Sequence, residues 1–430
     1  MIRSFTIRAG ALLALAAAGP AQALDLEAAL REVAAANPTL AARRAMVEAA
    51  ERRAPPAGAW QSAMLELGAI NVPASGRLDM DPMTMRMVGI TQRVPVFGGN
   101  RLNGRSARSA ADAEGAASEL AHYELFGGAW EAYADAFYAD QLVRSAAGHE
   151  QDMDRLVRSA RVRYDSGNGR LDDVLRAEAE RARTRADQAS FQAEARGAHA
   201  RLDALMGRTP GASTDTLAPP PAVTVPADPR PWLAAVAPAH PRLRETRAQV
   251  ERYRLAARAA RRMAWPDLEV HASYGFRRPI MGVPQDNMWS GSVGFMLPVF
   301  AARRELSMGA EMDAMARASE SDLRAATLDL EQQVEATHAA ARAGQRIVAL
   351  LADTVVTTQR RAVEASWAAY TAGAADLWRV FEATHTLYGE EVALSRARQD
   401  LARTEARLLA ITARGDLLGV DLPNIPRSER

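Results

Sequence analysis

Residues 83–101, MTMRMVGITQRVPVFGGNR, and residues 288–304, MWSGSVGFMLPVFAARR, decide how this chain reads. Each opens on about ten residues whose side chains alternate in character and include β-formers, the pattern of a strand. Each strand segment ends in Pro-Val-Phe, at Pro95-Val96-Phe97 and Pro298-Val299-Phe300, followed by Arg101 and Arg304. The two Pro-Val-Phe motifs, with the Arg that follows each, lie 203 residues apart. The same offset relates Asn37-Pro38-Thr39-Leu40 to His240-Pro241-Arg242-Leu243, and Val47-Glu48 to Val250-Glu251. Further on, Tyr164, Gly167, Leu171 and Val174 match Tyr370, Gly373, Leu377 and Val380 at an offset of 206. A register kept so long with one three-residue shift marks a duplicated unit.

Working outward, each copy has the same order of textures. An Ala-, Arg- and Glu-rich stretch, Leu26 to Arg53 or Trp232 to Arg262, is expected to be helical. Two alternating segments follow, Ala63 to Val72 and Met83 to Val94 in the first copy, Asp267 to Phe276 and Met288 to Leu297 in the second. They predict β-hairpins over about 63–94 and 267–297. Arg101 to Tyr164 and Ala301 to Tyr370 then run without proline, enough for helices of roughly 95–105 Å, far beyond globular lengths. A short Gly-containing break leads to a second helix, Leu171 to Met206 or Leu377 to Ala413. Helical hairpins are therefore predicted over about 101–206 and 301–413. Val380, Leu387, Leu394, Leu401 and Leu408 recur every seven residues, and Leu175, Ala179, Ala182, Ala186, Ala189 and Ala193 step by four and three. These are coiled-coil periods. Repeat 1 spans 24–208 and repeat 2 spans 232–430, and between them Thr209 to Pro231 holds seven of the chain's 22 prolines, the composition of an extended linker.

Composition narrows the function. The chain has 430 residues, 48% hydrophobic and 24% charged, so it can bury a large core. Its 53 basic residues, all Arg, face 52 acidic ones for a net charge of +1, which argues against a nucleic-acid partner held by bulk charge. Cysteine is absent, which removes disulfides, thiolate metal sites and cysteine nucleophiles. The seven His residues stand far apart with no metal-site or Ser-His-Asp spacing. No enzyme and no cofactor are expected. Arg-rich helix faces such as Arg181, Arg183 and Arg185 read as solvated surface.

At the N-terminus, Arg3 and Arg8 precede an apolar run from Ala9 to Ala18, then Pro20 and Ala21-Gln22-Ala23. This is the pattern of an export signal over 1–23, too short to span a bilayer. No later stretch is long and apolar enough for a transmembrane helix. An exported chain with four strands of about ten residues cannot close a barrel alone, and an open sheet edge in lipid costs several kcal/mol per unpaired group. Three copies would supply twelve strands, within the outer-membrane range. The long hairpins would stand beneath them as a tube, which makes a conduit.

The order of elements, the duplication and the local motifs resemble the TolC-like outer membrane efflux proteins over residues 24–420. The resemblance rests on Leu26 to Leu40 with its Asn-Pro-x-Leu, the Pro-Val-Phe after each hairpin, and the two Tyr-x-x-Gly turns. Its best stretch runs from Ala369 to Leu377 and on through Glu382 to Tyr388. It implies an α+β membrane protein: a homotrimer with a 12-stranded β-barrel in outer-membrane lipid, continued by a periplasmic α-helical barrel. It also implies a periplasmic adaptor and an inner-membrane pump of the RND type as partners, and no catalysis. Drug efflux and type I secretion stay open as alternatives, and a periplasmic coiled-coil adaptor or a structural coiled coil fits the hairpins less well.

The resemblance places the helix-hairpin tips at the Gly turns. Gly167, Leu171, Gly373 and Leu377 become candidates for adaptor docking. Asp173, Tyr370 and Asp376 become candidates for the periplasmic gate. The basic residue that some relatives carry after the second turn is Ala375 here, with Asp376 and Arg379 near enough to substitute. Ordinary turn chemistry and helix capping would also account for Asp173 and Tyr370. Met80, Met83, Met85 and Met87 put four of the chain's sixteen Met into eight residues. Met83, Met85 and Met87 are expected on one strand face, where thioethers suit soft metal cations. A lipid-facing or packing stripe is the competing account. The segment from Met80 to Gln92 resembles the first hairpin of the heavy-metal branch of the family, which tilts the expected substrate toward metal cations.

Overall fold

The computed structural model describes residues 23–76, 81–213, 215–237, 239–279 and 283–423. Almost all of the expected signal segment, and Met80, lie outside the described residues.

Each repeat opens on two helices that meet at a proline. In repeat 1 these are α1 (Leu26–Ala36) and α2 (Pro38–Gly58). In repeat 2, α5 (Arg230–Val236) and α6 (Pro241–Met263) correspond. The single helices expected over 26–53 and 232–262 are each interrupted, because Pro38 and Pro241 lack an amide hydrogen and force an extended residue before them. That extended residue caps the next helix. Asn37 Oδ1 accepts from the Thr39 amide at 2.8 Å, and His240 Nδ1 from the Arg242 amide at 3.3 Å. The far ends of the same side chains donate to Leu205 and Ile411 carbonyls, both at 2.8 Å. Leu205 and Ile411 are themselves 206 residues apart. The recurring X-Pro pair is thus a strut tying the start of each repeat to its end.

The strands β1 (Met64–Ile70), β2 (Met85–Val94), β3 (Asp267–Arg277) and β4 (Met288–Met296) form one antiparallel sheet in that order. β2 and β3 join the repeats, in register from Met85 opposite Arg277 to Val94 opposite Leu268. Among the described residues neither β1 nor β4 has a second partner, so both edges are open.

Beyond the sheet, α3 (Gly99–Asp165) runs 67 residues, about 100 Å at 1.5 Å per residue, and α4 (Leu171–Leu205) returns along it. In repeat 2, α7 (Glu305–Ala349), a π-helical segment (Leu350–Val356) and α8 (Thr357–Thr371) make one rod as long as α3, and α9 (Leu377–Thr412) returns. The turn after Pro298 continues through 299–304 before the helix begins, whereas α3 starts two residues after Phe97. Those extra residues are the shift of the repeat offset from 203 to 206.

The main core lies near the middle of α3. Phe126, Trp130 and Tyr133 are buried against Leu30, Val33, Leu202, Leu408 and Leu409. Residues 215–229 of the proline-rich linker form no helix or strand, and this segment is held along α7. Gln345 Nε2 donates to the Val223 carbonyl at 2.9 Å, and His338 Nε2 to that of Pro226 at 2.8 Å. Tyr133 Oη lies 2.7 Å from the Leu24 carbonyl and 2.6 Å from that of Ala218, which locks the linker onto the segment just before α1. Among the described residues no helix is long and apolar enough to cross a membrane.

Candidate functional site: the hairpin tips and the polar strand face

The two tips are built alike. After α3, Gly167 takes φ +74°, its amide bonds the Tyr164 carbonyl at 2.9 Å, and the Asn168 amide bonds that of Arg163 at 2.9 Å. After α8, Gly373 takes φ +72°, with the Tyr370 carbonyl at 3.0 Å and the Ala374 amide on Ala369 at 2.8 Å. This double bond pair around a left-handed glycine is a Schellman cap. The Tyr-x-x-Gly spacing is therefore the spacing that closes a helix. A Cβ on either glycine would touch nothing within 4 Å, so only the backbone demands glycine there.

Between the tips, Met153, Leu156, Ala160, Val174, Leu377 and Val380 form a small core, with Trp367, Tyr370 and Phe381 packed against it. Leu377, a docking candidate, is thus buried inside the tip, while Leu171 is 50% exposed. The Tyr370 hydroxyl is 2.7 Å from Ser159 Oγ, and the Arg163 guanidinium lies over its ring, 5.4 Å from the centroid. Asp173, in the first turn of α4, lines a small cleft with Arg176, Trp378 and Phe381. Asp376 caps α9 by accepting from the Arg379 amide at 3.2 Å. The backbone of Arg379 is what Asp376 holds. Ser159, Arg163, Arg176, Trp378 and Phe381 escaped the sequence reading, since nothing but their nearness to the turns singles them out.

The strand face sorts as sharply. One face of the sheet carries Leu65, Leu67, Ile90, Val293 and Phe295. The other carries Glu66, Thr91, Glu269, His271, Ser290 and Ser292. Thr91 Oγ1 is 2.8 Å from Glu66 Oε1 and 2.9 Å from His271 Nδ1, a polar row running across three strands. Tyr274 and Trp289 stand 4.9 Å apart at the loop end of the apolar face, and Phe97 and Trp265 stand 5.2 Å apart where strands meet helices. An apolar face backed by a polar one is the alternation expected of a membrane barrel wall.

Met85 and Met87 share the polar face of the sheet, where Met85 is buried at 8% exposure. Met83 does not join them. Asp81 Oδ1 takes the Met83 amide at 2.8 Å and the Asp81 carbonyl takes that of Thr84 at 3.0 Å, which puts Met83 in a turn before β2 begins. Met288 supplies a thioether that the sequence reading missed. In register, Met87 is opposite Gly275 and Gly275 is opposite Met288. A Cβ on Gly275 would sit 2.5 Å from Met85 Sδ. Three methionines thus bracket one glycine on the polar side.

The family model for outer membrane efflux proteins matches residues 21–208 and 232–414, passing over the proline-rich linker. This chain belongs to the outer membrane efflux protein family. It is therefore an outer-membrane channel protein with a large periplasmic helical part, and not an enzyme. Channels of this family are trimeric and work with adaptor proteins and inner-membrane pumps. Solved channels share the fold at low identity. The open state of the MtrE outer membrane channel of Neisseria gonorrhoeae is 18% identical, with a TM-score of 0.77 over 91% of this chain and 89% of that one. The outer membrane protein VceC of Vibrio cholerae is 19% identical, with a TM-score of 0.73 over 90% and 96%. CusC, whose structures describe transmembrane channel formation, is 16% identical, with a TM-score of 0.74 over 90% and 92%. No curated protein matched the chain.

Proposed function

We propose that three copies of this chain close a twelve-stranded barrel whose polar face lines a passive conduit, and that the conduit carries soft heavy-metal cations. The observation that carries the substrate reading is the placement of Met85, Met87 and Met288 around Gly275 on the polar face. Thioethers there meet the conduit and not lipid, and sulfur is a ligand for Cu(I) and, by extension, Ag(I). The open edges of β1 and β4 favour closure by other copies, because unpaired backbone groups in hydrocarbon are costly.

At the far end, the tips dock a periplasmic adaptor through Leu171 and the turns at Gly167 and Gly373, with Leu377 supporting them from within. Asp173, Tyr370 and Asp376 stand at the closed entrance, and an inner-membrane pump of the RND type delivers the substrate. Native mass spectrometry of detergent-solubilised protein should show three subunits, and a stable membrane monomer would remove the conduit. In a host lacking its own exporter, deleting the gene should lower copper and silver tolerance. Unchanged tolerance would sink the metal reading. Changing Met85, Met87 and Met288 together to Leu keeps apolar bulk at less than about 1.5 kcal/mol per site. Reduced tolerance with intact trimers supports a ligand role, whereas wild-type tolerance assigns all selection to the pump and adaptor.

A further inference from the structure

Away from the tips and the strands, α3, α4 and α9 bring together three side chains that no sequence spacing links. They are His149, Glu180 and His385, each offering a ligand atom within 4.8 Å of the other two. His385 Nδ1 is 2.7 Å from Glu180 Oε1. Glu180 is buried despite its charge, with a side chain only 7% exposed. His149 is 4% exposed, and its Nε2 has no hydrogen-bond partner. A buried imidazole nitrogen left unpaired costs about 1–3 kcal/mol, so it calls for an explanation.

The surroundings hold the rings in place. His149 stacks flat on Tyr388, with centroids 4.2 Å apart and an interplanar angle of 2°. The Tyr388 hydroxyl is 3.4 Å from Asp187 Oδ2. His385 is parallel to Phe381, with centroids 6.1 Å apart. Arg183 also reaches the cluster, with its Nη1 3.4 Å from Glu180 Oε2 and its side chain 77% exposed. Glu150 and Asp154 nearby are already paired with Arg185 and Arg181.

We propose that His149, Glu180 and His385 form a binding site for one divalent transition-metal ion of the zinc type. Two imidazoles and one carboxylate are the borderline-soft donor set that suits Zn²⁺, with solvent as the fourth ligand on the exposed side of His385. Zinc–ligand bonds of about 2.0–2.2 Å place donors roughly 3.3–3.6 Å apart. The present spread closes to that by a small shift of His385, which is half-exposed and can make it. Any hydrogen on His385 Nδ1 would leave that nitrogen when metal binds, with Nε2 carrying the ring hydrogen. The site does not depend on what the channel carries. Its position gives it a consequence. Glu180 belongs to the first hairpin and His385 to the second, so a bound ion would clip the two repeats together above the tips.

The test uses the full-length trimeric protein in detergent, stripped of metal and free of any His tag. Titration calorimetry with Zn²⁺ should give one site per chain, and Co²⁺ should give the visible absorption of a low-coordinate nitrogen–oxygen site. His385→Ala and Glu180→Gln should each weaken binding by more than the roughly 10–100-fold expected for losing an outer partner. His149→Gln should do the same. If that buried change fails to fold, the other two variants decide. Absence of saturable binding to the wild type overturns the proposal. So does binding that persists at wild-type affinity in His385→Ala and Glu180→Gln.

Discussion

The tip glycines give the sharpest test of how structure and export are divided along this chain. Gly167 and Gly373 sit at φ +74° and +72° with open space where a Cβ would go. Changing both to Val therefore adds no clash. It adds only the cost of holding a β-branched residue in the left-handed region, about 1–2 kcal/mol per site before local relaxation. The strands lie at the other end of a 67-residue helix, roughly 100 Å away, and the main core around Trp130 is distant too. The double variant should therefore reach the outer membrane as a trimer at near wild-type level while export is lost. Membrane fractionation, native mass spectrometry and a susceptibility assay in an exporter-deficient host measure those three quantities together. Gly169→Ala supplies the contrast, because its Cβ would lie 2.8 Å from the Tyr164 nitrogen and 2.9 Å from the Arg163 carbonyl carbon, backbone atoms that cannot move aside. That single methyl should disturb the turn more than valine at position 167. Full export by the double valine variant would refute the role of the tips. Loss of protein from the membrane would show the glycines to be purely structural.

Two further outcomes follow from buried charge in the helical part. Asp135 accepts from Gln399 Nε2 at 3.0 Å and Arg403 Nε at 2.7 Å, joining α3 to α9, so Asp135→Ala should cost about 3 kcal/mol and lower the melting temperature clearly; an unchanged melt would discount the network. Burial raises the Glu405 carboxyl to about 8, above its unfolded value near 4.5, so its contribution is fully present below about pH 4.5 and is lost as pH rises through 8. Glu405→Gln should flatten the fall of stability between those limits, and an identical pH profile in the variant would show that another group sets it.

Much of this was legible because the chain writes its plan twice. Asn37-Pro38 and His240-Pro241 recur because each caps a helix and braces the end of its own repeat. Gly167 and Gly373 recur because a Schellman cap needs a left-handed residue. The strand alternation separated Glu66 and His271 from Leu65 and Val270, although their hydrogen-bonded row through Thr91 needed the register between repeats. What stayed hidden depends on geometry that sequence distance conceals. His149 and His385 looked isolated because 236 residues separate them, and only the packing of α3 on α9 brings them close. Met83 looked like a strand residue because its period fits. The Asp81 side chain competes for its amide, and a local Asx turn wins over the ladder.

The places where the two copies differ bear most directly on function. The residue 206 positions before the cap Asp376 is Arg170, which cannot accept a hydrogen bond from a helix N-terminus. α4 therefore begins without a side-chain cap and relies on Asp172 and Asp173, whose charges favour the positive end of the helix. Arg170 Nε is 2.9 Å from Asp172 Oδ1, which ties one of these carboxylates to the turn and leaves Asp173 facing the cleft with Arg176 and Trp378. The second tip has its cap and its tyrosine. Tyr370 reaches back to Ser159 and Arg163 of α3, so it is bound to the other repeat's hairpin. Tyr164, its counterpart, is 45% exposed. One duplicated turn has thus become two unlike surfaces, an acidic uncapped start on α4 and a capped, cross-braced start on α9. Any motion that separates the hairpins must break the Tyr370 contacts and can leave the first tip intact, so if the tips gate and dock as proposed, the coupling falls on the second copy's turn.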